Sequence, residues 1–447
     1  MGHSLGCTTP PFCHVHEALR STQQRHYELP PRIQVAIVGG GLAGTLAARV
    51  LREHHDVTIY ERCKTAIEVG AAINIGPNGV KILEQLGFDR TRVGSLPVGR
   101  TLTWNKQGEL KLESEMKCVE EYGADWLFNH RADLRDEFLR LATASSDDLK
   151  IGGAPAIIRY GAEVVNVDVD QGVLTLASGE VITAHLIIGK YPPADGIKSR
   201  IRPLVVGDAA LSTARPSGMS AFRFTLLAEE IKNKNGGVVP DLLDPAKSAC
   251  LNMVLAFDQT NRSIVTYPCR NFELLNFVCI VPDMSLKEAT SESWSAAGDR
   301  EELISLFTDF PPAIVQYFKY ATGIKLWQLR DQDPLPTYIK GRAVLIGDAA
   351  HPMTPHQGQG GTQAVEDAEG LRLFTEINFP SDDVAHILQD FDRVRRPRVA
   401  QIQNNTRKSI ERRSAEEIYS FAKYNWTYPG IKECLRRIDA GEEMIQF

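Results

Sequence analysis

The feature that most constrains the fold of this 447-residue chain is a glycine-rich turn between a short apolar strand and a helix. Residues 34–38 read QVAIV, an apolar run typical of a buried parallel strand. The turn GGGLAG follows at 39–44, and apolar residues then recur at helical spacing as far as Leu51. A second apolar strand is predicted over 57–60. This order predicts a βαβ unit with a right-handed crossover in a parallel sheet.

The turn has the GxGxxG spacing of a dinucleotide-binding site. Gly39 permits the tight turn, Gly41 lets backbone N–H groups approach a pyrophosphate, and Gly44 lets the helix pack closely on the sheet. Glu61 closes the second strand, 22 residues after Gly39, where its carboxylate would accept hydrogen bonds from ribose hydroxyls. The alternative is a structural turn with a surface glutamate. This unit alone does not distinguish NAD from FAD.

Later segments predict how the chain continues. A hairpin is expected between 172–176 and 181–188, and the strand-like runs within about 207–329 suggest a mainly β-sheet substrate domain inserted into the nucleotide-binding one. A strand at 343–346 returns to the first domain, and from about Ser381 the pattern is helical, broken by Pro397 and Pro429.

The expected fold is therefore α/β, with a Rossmann-type nucleotide-binding domain, an inserted mainly β-sheet substrate domain and a helical C-terminal region. The expected divisions are a flexible arm at 1–32, the nucleotide-binding domain at 33–206 with a small substrate-domain contribution near 99–125, the substrate domain at 207–329, a return segment at 330–380 and C-terminal helices at 381–447.

Composition limits the function classes. The chain is 43% hydrophobic and 24% charged, as expected of a globular protein with a sizeable core. A net charge of −6 argues against broad nucleic-acid binding. Arginines cluster at 393–398 and basic residues again at 408–413, but acidic neighbours favour a solvated helix face. The least polar stretch, 35–50, is too short and too rich in glycine to span a membrane.

The eight scattered cysteines suggest free thiols in a reducing, cytoplasmic compartment. Cys13, His14 and His16 lie near Cys7 and raise the alternative of a metal site. No second pair of ligands follows them, so we expect no metal. The oligomeric state is left open by the sequence.

Several segments, in a fixed order, carry a family resemblance. Residues 70–73 read GAAI, 77–79 PNG, 130–134 HRADL, 345–353 LIGDAAHPM, 357–361 QGQGG and 366–368 EDA. Together with the glycine turn they resemble the flavoprotein aromatic hydroxylases of the salicylate hydroxylase type. The resemblance implies bound FAD, with contacts from Ala72, Arg131, Asp348 and Gly361. A histidine such as His351 is more often packed than catalytic, and no catalytic role is assigned to it.

There are two departures from the family pattern. The family has Gly-Ala-Asp-Gly directly after a strand, where it supports the use of FAD and NAD(P)H. Here residues 189–196 read GKYPPADG, with four extra residues at 190–193. Either the loop bulges and Asp195 keeps its usual cofactor contact, or reduction by NAD(P)H is impaired. The second departure is Gly361, where alanine is common.

Two strands of the inserted region resemble those that face the reactive edge of the flavin in fungal members. They contain SGMSAFR at 217–223 and YPCR at 267–270. By resemblance, Arg223 and Tyr267 are the candidate catalytic pair. An arginine there would stabilise a phenolate oxygen, and a tyrosine could hydrogen-bond the same oxygen or pass a proton. The alternative is an arginine paired with a carboxylate and a tyrosine packed in the sheet.

The resemblance implies an FAD-dependent monooxygenase that uses NAD(P)H and dioxygen to hydroxylate a phenolic, polyketide-type aromatic substrate of secondary metabolism. The FAD segments are also compatible with a flavin-dependent epoxidase or dehydrogenase acting on a non-aromatic substrate. The insertion at 190–193 leaves open a flavin-binding protein that does not turn over.

Overall fold

The computed structural model describes residues 32–65, 71–189, 201–207, 214–238, 240–286, 297–375, 383–409 and 415–445. Its strands are β1 Gln34–Val38, β2 Asp56–Glu61, β3 Ala72–Ile75, β4 Leu96–Asn105, β5 Leu110–Glu115, β6 Leu127–His130, β7 Ile157–Tyr160, β8 Val164–Asp168, β9 Val173–Leu176, β10 Val181–Thr183, β11 Leu186–Gly189, β12 Arg215–Leu227, β13 Ala249–Leu255, β14 Ser263–Cys269, β15 Leu274–Pro282, β16 Lys325–Asp331, β17 Ile339–Lys340 and β18 Ala343–Leu345.

The helices alternate with the strands along the chain and follow them at its C-terminal end. They are α1 Leu42–Leu51, α2 Pro77–Gln85, α3 Arg90–Val93, α4 Cys118–Tyr122, α5 Arg131–Thr143, α6 Ser146–Leu149, α7 Ile201–Val206, α8 Ala228–Lys234, α9 Arg300–Leu306, α10 Pro312–Val315, α11 Gln359–Gly370, α12 Val384–Lys408, α13 Ala415–Trp426 and α14 Ile431–Asp439. Within the ranges given above, every helix is too short or too polar to cross a lipid bilayer.

The nucleotide-binding part is built on a six-stranded sheet in the order β17-β18-β11-β1-β2-β7. Strands β18, β11, β1, β2 and β7 are parallel, and β17 is antiparallel at the edge. The predicted βαβ unit is confirmed as β1, α1 and β2, and the predicted returning strand as β18. Strand β1 lies between β11 and β2, and its apolar residues pack in the hydrophobic core on both faces of the sheet.

The predicted hairpin is only partly correct. Strands β9 and β10 pair antiparallel around the turn at Ser178 and Gly179, but β11 belongs to the six-stranded sheet. The chain changes sheets at residues 184 and 185, because the Ala184 N–H donates to Gly172 O and the His185 N–H donates to Gln34 O. One apolar run over 181–188 therefore supplies strands to two sheets.

Strands β12 to β16 of the inserted region and the earlier strands β3 to β6 together form a nine-stranded sheet in the order β16-β12-β15-β14-β13-β4-β6-β3, with β5 paired to β4. One face is covered by apolar residues of the segment that contains α9 and α10, and its core includes Phe222, Phe277 and Phe318. The opposite face carries Arg223 and Tyr267, since side chains alternate along a strand. The expected α/β fold with an inserted, mainly β-sheet unit and a helical C-terminal region is confirmed.

The C-terminal helices differ from the prediction at one point. Pro397 lies inside the continuous helix α12, so the predicted break there is wrong, whereas Pro429 does lie between α13 and α14. A proline inside a helix costs about 3 kcal/mol. Arg395 and Arg398, on either side of Pro397, form buried ion pairs with Glu366 and Asp367 of α11.

Candidate functional site

The glycine turn after β1 has the backbone that the spacing predicts. Gly39 has a φ of 107°, a conformation that favours glycine. A Cβ atom on Gly44 would lie 2.1 Å from the carbonyl oxygen of Gly39, so any side chain there would separate α1 from β1. Gly41 precedes α1, and no side chain caps this helix end. The first N–H groups of α1 are thus available to an anionic ligand such as a pyrophosphate.

Glu61 lies against this turn at the end of β2 and is buried. Its carboxylate accepts hydrogen bonds from the N–H of Gly40 at 2.7 Å and from the N–H of Cys63 at 2.8 Å, one on each oxygen. Each carboxylate oxygen has a second acceptor position, which suits the hydroxyls of a ribose. Sequence analysis missed Arg135, whose Nε donates to the carbonyl of Gly40 at 3.1 Å. Its position one helical turn after Arg131 was the available signal.

Asp348 lies in a 3-10 turn over Gly347–Ala349, directly beyond the returning strand β18. Arg202 of α7 supports this turn, donating to the backbone carbonyls of Asp348 at 2.7 Å and Ala349 at 2.6 Å. Burial lowers the pKa of Arg202 to about 10, although the nearby charge of Asp348 acts to raise it. Asp348 itself is half-buried at the end of a parallel strand, a position where α/β sheets bind ligands.

Behind the turn lies a fully buried ion-pair network of Glu366, Asp367, Arg395 and Arg398. Arg398 donates two N–H groups to Glu366, each at 2.7 Å. Arg395 contacts Glu366 and also donates Nε to Asp367 at 2.9 Å. The prediction of a solvated face is therefore wrong for these two arginines. Helical spacing is the sequence signal that distinguishes them from their exposed neighbours. Arg395 and Arg398 are three residues apart and therefore share one face of the helix.

This network fixes the turn that holds Asp348. Asp367 accepts the N–H of Gly347 at 2.7 Å and lies 2.7 Å from Nε2 of His351. Burial raises the pKa values of Glu366 and Asp367, but the neighbouring charges outweigh it, leaving the pKa of Glu366 below its usual value and that of Asp367 at about 2. Both acids are thus ionised. His351 is completely buried, in agreement with the packed role expected for it.

Strand β3, at one edge of the nine-stranded sheet, begins with a contact to another strand of the same sheet. The N–H of Ala72 donates to Oδ1 of Asn276, on β15 of the nine-stranded sheet, at 3.2 Å. Nearby, a Cβ on Gly361 would lie 2.6 Å from Cδ1 of Ile73. The departure from the family's alanine at 361 thus has a physical reason, because Ile73 fills the space that an alanine methyl would need.

Arg131 begins α5, and its N–H donates to Ala71 O at 3.2 Å, next to Ala72. Two residues later, Asp133 accepts a two-pronged pair of hydrogen bonds from Arg270, each at 2.7 Å. This pair joins the HRADL and YPCR segments, and sequence analysis did not identify it. It also anchors a turn in which Arg270, Asn271 and Phe272 all have positive φ. Such backbone strain persists only where surrounding contacts fix it.

Arg223 and Tyr267 come together on the open face of the nine-stranded sheet. The charge of Arg223 acts to lower the pKa of Tyr267, and Tyr267 acts to raise the pKa of Arg223. The charge of Arg131 acts to lower the pKa of Arg223. Burial raises the pKa of Tyr267, against the influence of Arg223, and lowers the pKa of Arg223. Tyr267 stacks on Phe128 with ring centroids 4.4 Å apart.

Arg223 does not have the carboxylate partner of the alternative interpretation. Its guanidinium carbon lies 4.6 Å from the centre of the Trp327 ring. Its Nε is enclosed and has no hydrogen-bond partner, and none of the described carboxylates pairs with it. A buried donor without a partner is costly in a folded protein and is expected where a ligand completes the site.

A cavity of about 340 Å³ opens beside Arg223. Its lining includes Ala71, which precedes the β3 segment, and side chains from β12, β15 and β16 of the sheet. The polar or aromatic members are Arg223, Thr225, Glu230, Thr322, Lys325 and Trp327, and the cavity also contacts Phe224. The cavity thus lies between the nine-stranded sheet and Ala71 of the GAAI segment.

Some predicted positions lie outside the described residues: Asp195, the insertion at 190–193, and Cys13, His14 and His16. Over the described ranges, no group of three or more His, Cys, Asp or Glu residues is arranged to hold a metal ion.

Known proteins resemble this chain in sequence and in fold. The family model described as an FAD binding domain matches residues 32–137 and 168–406. The FAD-dependent monooxygenase cfoG of Aspergillus candidus is 31% identical over 384 residues, covering 83% of this chain and 84% of the relative. Salicylate hydroxylase of Pseudomonas putida is 29% identical over 394 residues, with 84% of each chain covered. A solved salicylate hydroxylase substrate complex has a TM-score of 0.67 at 26% identity, covering 88% of this chain and 92% of that one.

Proposed function

Because the chain belongs to the FAD-dependent monooxygenases of the salicylate hydroxylase type, we propose that it hydroxylates a small phenolic substrate of the polyketide type with NAD(P)H and dioxygen. The observation that carries the proposal is Arg223, a guanidinium that pairs with none of the described carboxylates, which lies beside Tyr267 and lines a cavity at the nine-stranded sheet. We also propose that the domains are divided at the residues given in the sequence analysis above.

The residues around the glycine turn fit FAD. Gly44 packs without space for a side chain, α1 presents uncapped N–H groups, and the Glu61 carboxylate lies against the turn. We assign the pyrophosphate to Gly39 and Gly41, the adenosine ribose to Glu61, and further contacts of the cofactor to Ala72, Arg131, Asp195, Asp348 and Gly361. When bound, FAD would transfer electrons from NAD(P)H and activate dioxygen.

Arg223 would hold the phenolic oxygen of the substrate in its ionised form. A phenolate makes the ring electron-rich, and a guanidinium stabilises the negative charge with charge-assisted hydrogen bonds. Tyr267 has a pKa above its usual value, so its hydroxyl stays protonated at neutral pH and can donate a hydrogen bond to the same oxygen. The burial of Tyr267 would limit the access of water to the reacting atoms.

The test is anaerobic mixing of the FAD-loaded protein with NADH or NADPH, with and without phenols, while the flavin absorbance is followed. Bleaching that a phenol accelerates supports the proposal. Bleaching at a rate that phenols do not change would instead favour an epoxidase or dehydrogenase. If the flavin does not bleach at all, the result would favour a flavin-binding protein that does not turn over. Detection of a product heavier by one oxygen atom completes the test.

A variant links this activity to Arg223. Arg223→Ala should keep FAD bound but slow product formation by about a hundredfold, since one charged donor is lost from the oxygenating centre. Arg100→Ala is a matched control, because Arg100 is a partly exposed arginine of β4 in the same sheet. Normal turnover in Arg223→Ala would exclude the assigned role.

A further inference from the structure

A continuous row of aromatic rings leads from the candidate site towards the surface. Tyr267 stacks on Phe128, and Phe128 contacts Trp126 with ring centroids 5.9 Å apart. The ring centroid of Trp126 lies 5.4 Å from that of Trp426 on α13, and the centroid of Trp426 lies 5.2 Å from that of Tyr122 on α4. These separations are those of aromatic rings in direct contact. The rings therefore connect the open face of the nine-stranded sheet with helices α4 and α13.

The outer end of this row is an exposed tyrosine that has a proton acceptor. The hydroxyl of Tyr122 is hydrogen-bonded to Tyr419, which is 55% exposed. The hydroxyl of Tyr419 donates to Oε2 of Glu121 at 3.3 Å. A tyrosine that loses one electron also releases its phenolic proton, and a hydrogen-bonded carboxylate can accept that proton. We call the four oxidisable rings between the sheet and the surface the aromatic chain: Trp126, Trp426, Tyr122 and Tyr419.

The inner end of the aromatic chain lies against segments that we assign to the cofactor. Nε1 of Trp126 donates to Oδ1 of Asn74, on the same strand β3 as Ala72, at 3.0 Å. A Cβ on Gly76 would lie 2.7 Å from Nε1 of Trp426, so this ring packs on the backbone between β3 and α2. Tryptophan and tyrosine are side chains that give up a single electron readily, and a flavin exchanges electrons singly as well as in pairs. With FAD bound, the aromatic chain would therefore join the cofactor to the solvent.

We propose that the aromatic chain carries electrons from reductants in solution to light-excited FAD, which gives this protein a light-driven reduction of its flavin. The contacts between the rings supply the path, and the Glu121 carboxylate beside Tyr419 supplies the proton acceptor at its exposed end. Light-driven reduction requires bound FAD but neither NAD(P)H nor a phenol, so it is an activity separate from hydroxylation.

Each cycle moves one electron inwards. Trp126 gives an electron to the excited flavin and regains one from Trp426, so the electron vacancy moves outwards along the chain. Tyr419 finally lacks the electron and passes its phenolic proton to Glu121. A reductant of the ascorbate or thiol class then returns an electron to Tyr419, and Glu121 returns the proton. A second cycle completes the electron pair of the reduced flavin, whose protons come from water.

The test follows the flavin absorbance of the FAD-loaded protein under blue light, without oxygen or NAD(P)H and with ascorbate as the electron donor. We expect the flavin of the parent to bleach. Trp426→Phe should bleach severalfold more slowly, because phenylalanine fills the position with a ring that does not give up an electron readily. Trp104→Phe is the matched control and should bleach at the parent rate. Trp104 belongs to the same sheet outside the aromatic chain, and its Nε1 donates to an asparagine, Asn252, at 2.7 Å.

A second variant tests the proton acceptor at an exposed position, where a substitution does not disturb the core. Glu121→Gln keeps an oxygen that accepts the hydrogen bond of Tyr419 but cannot take up its proton, so this variant should also bleach severalfold more slowly. Glu120→Gln, at the neighbouring exposed glutamate of α4, should match the parent. A parent that does not bleach, or the parent rate in Trp426→Phe or in Glu121→Gln, would overturn the proposal. Because the assay contains no phenol, a protein that bleaches as expected but does not hydroxylate would contradict the proposed function alone.

Discussion

Replacing Arg398 by methionine should destabilise the protein far more than most single substitutions. Arg398 is fully buried and donates two hydrogen bonds of 2.7 Å to Glu366, with others to the carbonyls of Asn425 at 2.8 Å and Tyr424 at 3.2 Å. The network contains two ionised acids and two guanidinium groups, so its charge is balanced. The variant leaves two buried carboxylates facing the single guanidinium of Arg395.

Removing one partner of a buried ion pair costs about 3–5 kcal/mol, because the remaining charge stays in a medium of low polarity. Methionine fills much of the same volume, so little of the effect would come from a cavity. We expect urea unfolding, followed by tryptophan fluorescence at pH 8, to show a loss of this size. The variant should also retain less FAD, because the network fixes the turn that carries Asp348.

The pH dependence supplies an internal check. In the parent, the pKa of Glu366 lies below its usual value, so its contribution is present above about pH 4.3 and lost as pH falls through the folded-state pKa. In Arg398→Met, burial should raise that pKa above the unfolded value, so the variant loses stability as pH rises. The deficit relative to the parent should therefore be smaller at pH 5 than at pH 8.

A double variant tests whether charge is the cause. Adding Glu366→Gln to Arg398→Met removes one charge of each sign and leaves Arg395 paired with Asp367. It should recover a large part of the lost stability, because a buried pair removed as a whole costs much less than one removed by half. A single variant within about 1 kcal/mol of the parent at pH 8, or a double variant less stable than the single one, would refute this reasoning.

Two further predictions concern the cofactor site. Glu61→Ala and Asp348→Ala should each weaken FAD binding by roughly tenfold or more, because each removes a charged hydrogen-bond acceptor. Flavin retention after dialysis measures the effect, with Glu115→Ala, at an exposed glutamate, as the control. Full flavin occupancy in both variants would contradict the assignments. Gly361→Ala should cost about 1–3 kcal/mol in thermal or urea unfolding because its methyl would overlap Ile73, and adding Ile73→Val should restore stability. Failure of that rescue would argue against the steric explanation.

The parts of the fold predicted from sequence are those with local signals. Strand β1, the glycine turn and α1 form within 18 residues (34–51), so periodicity and glycine spacing identified them. The change of sheets after β10 was missed, because only β1 and β18, far away in sequence, determine where β11 pairs. The continuity of α12 through Pro397 was missed for a similar reason, since the contacts of α12 with α11 involve residues that are distant in sequence.

The residues of the candidate site also divide into those with a local sequence signal and those without one. Glu61 was predicted from its distance to the glycine turn, and Arg223 and Tyr267 from a resemblance between short segments. Lys325 and Asn276 lie in strands without a distinctive pattern of their own. Their position beside Arg223 depends on strand register, which appears only when β12, β15 and β16 are paired.

The returning strand β18 and the ion pairs of α12 have a consequence for synthesis on the ribosome. The chain emerges from its N-terminus, so the glycine turn is exposed long before residues 343–345 can join β11 or Arg395 and Arg398 can reach Glu366. Until then, the acids of α11 lack the guanidinium partners that α12 supplies, and Arg202 supports the turn at Asp348 without the help of the ion-pair network. Capture of the cofactor would accordingly be a late event that follows nearly complete translation, and the nascent chain would need protection of its open parallel sheet until that point.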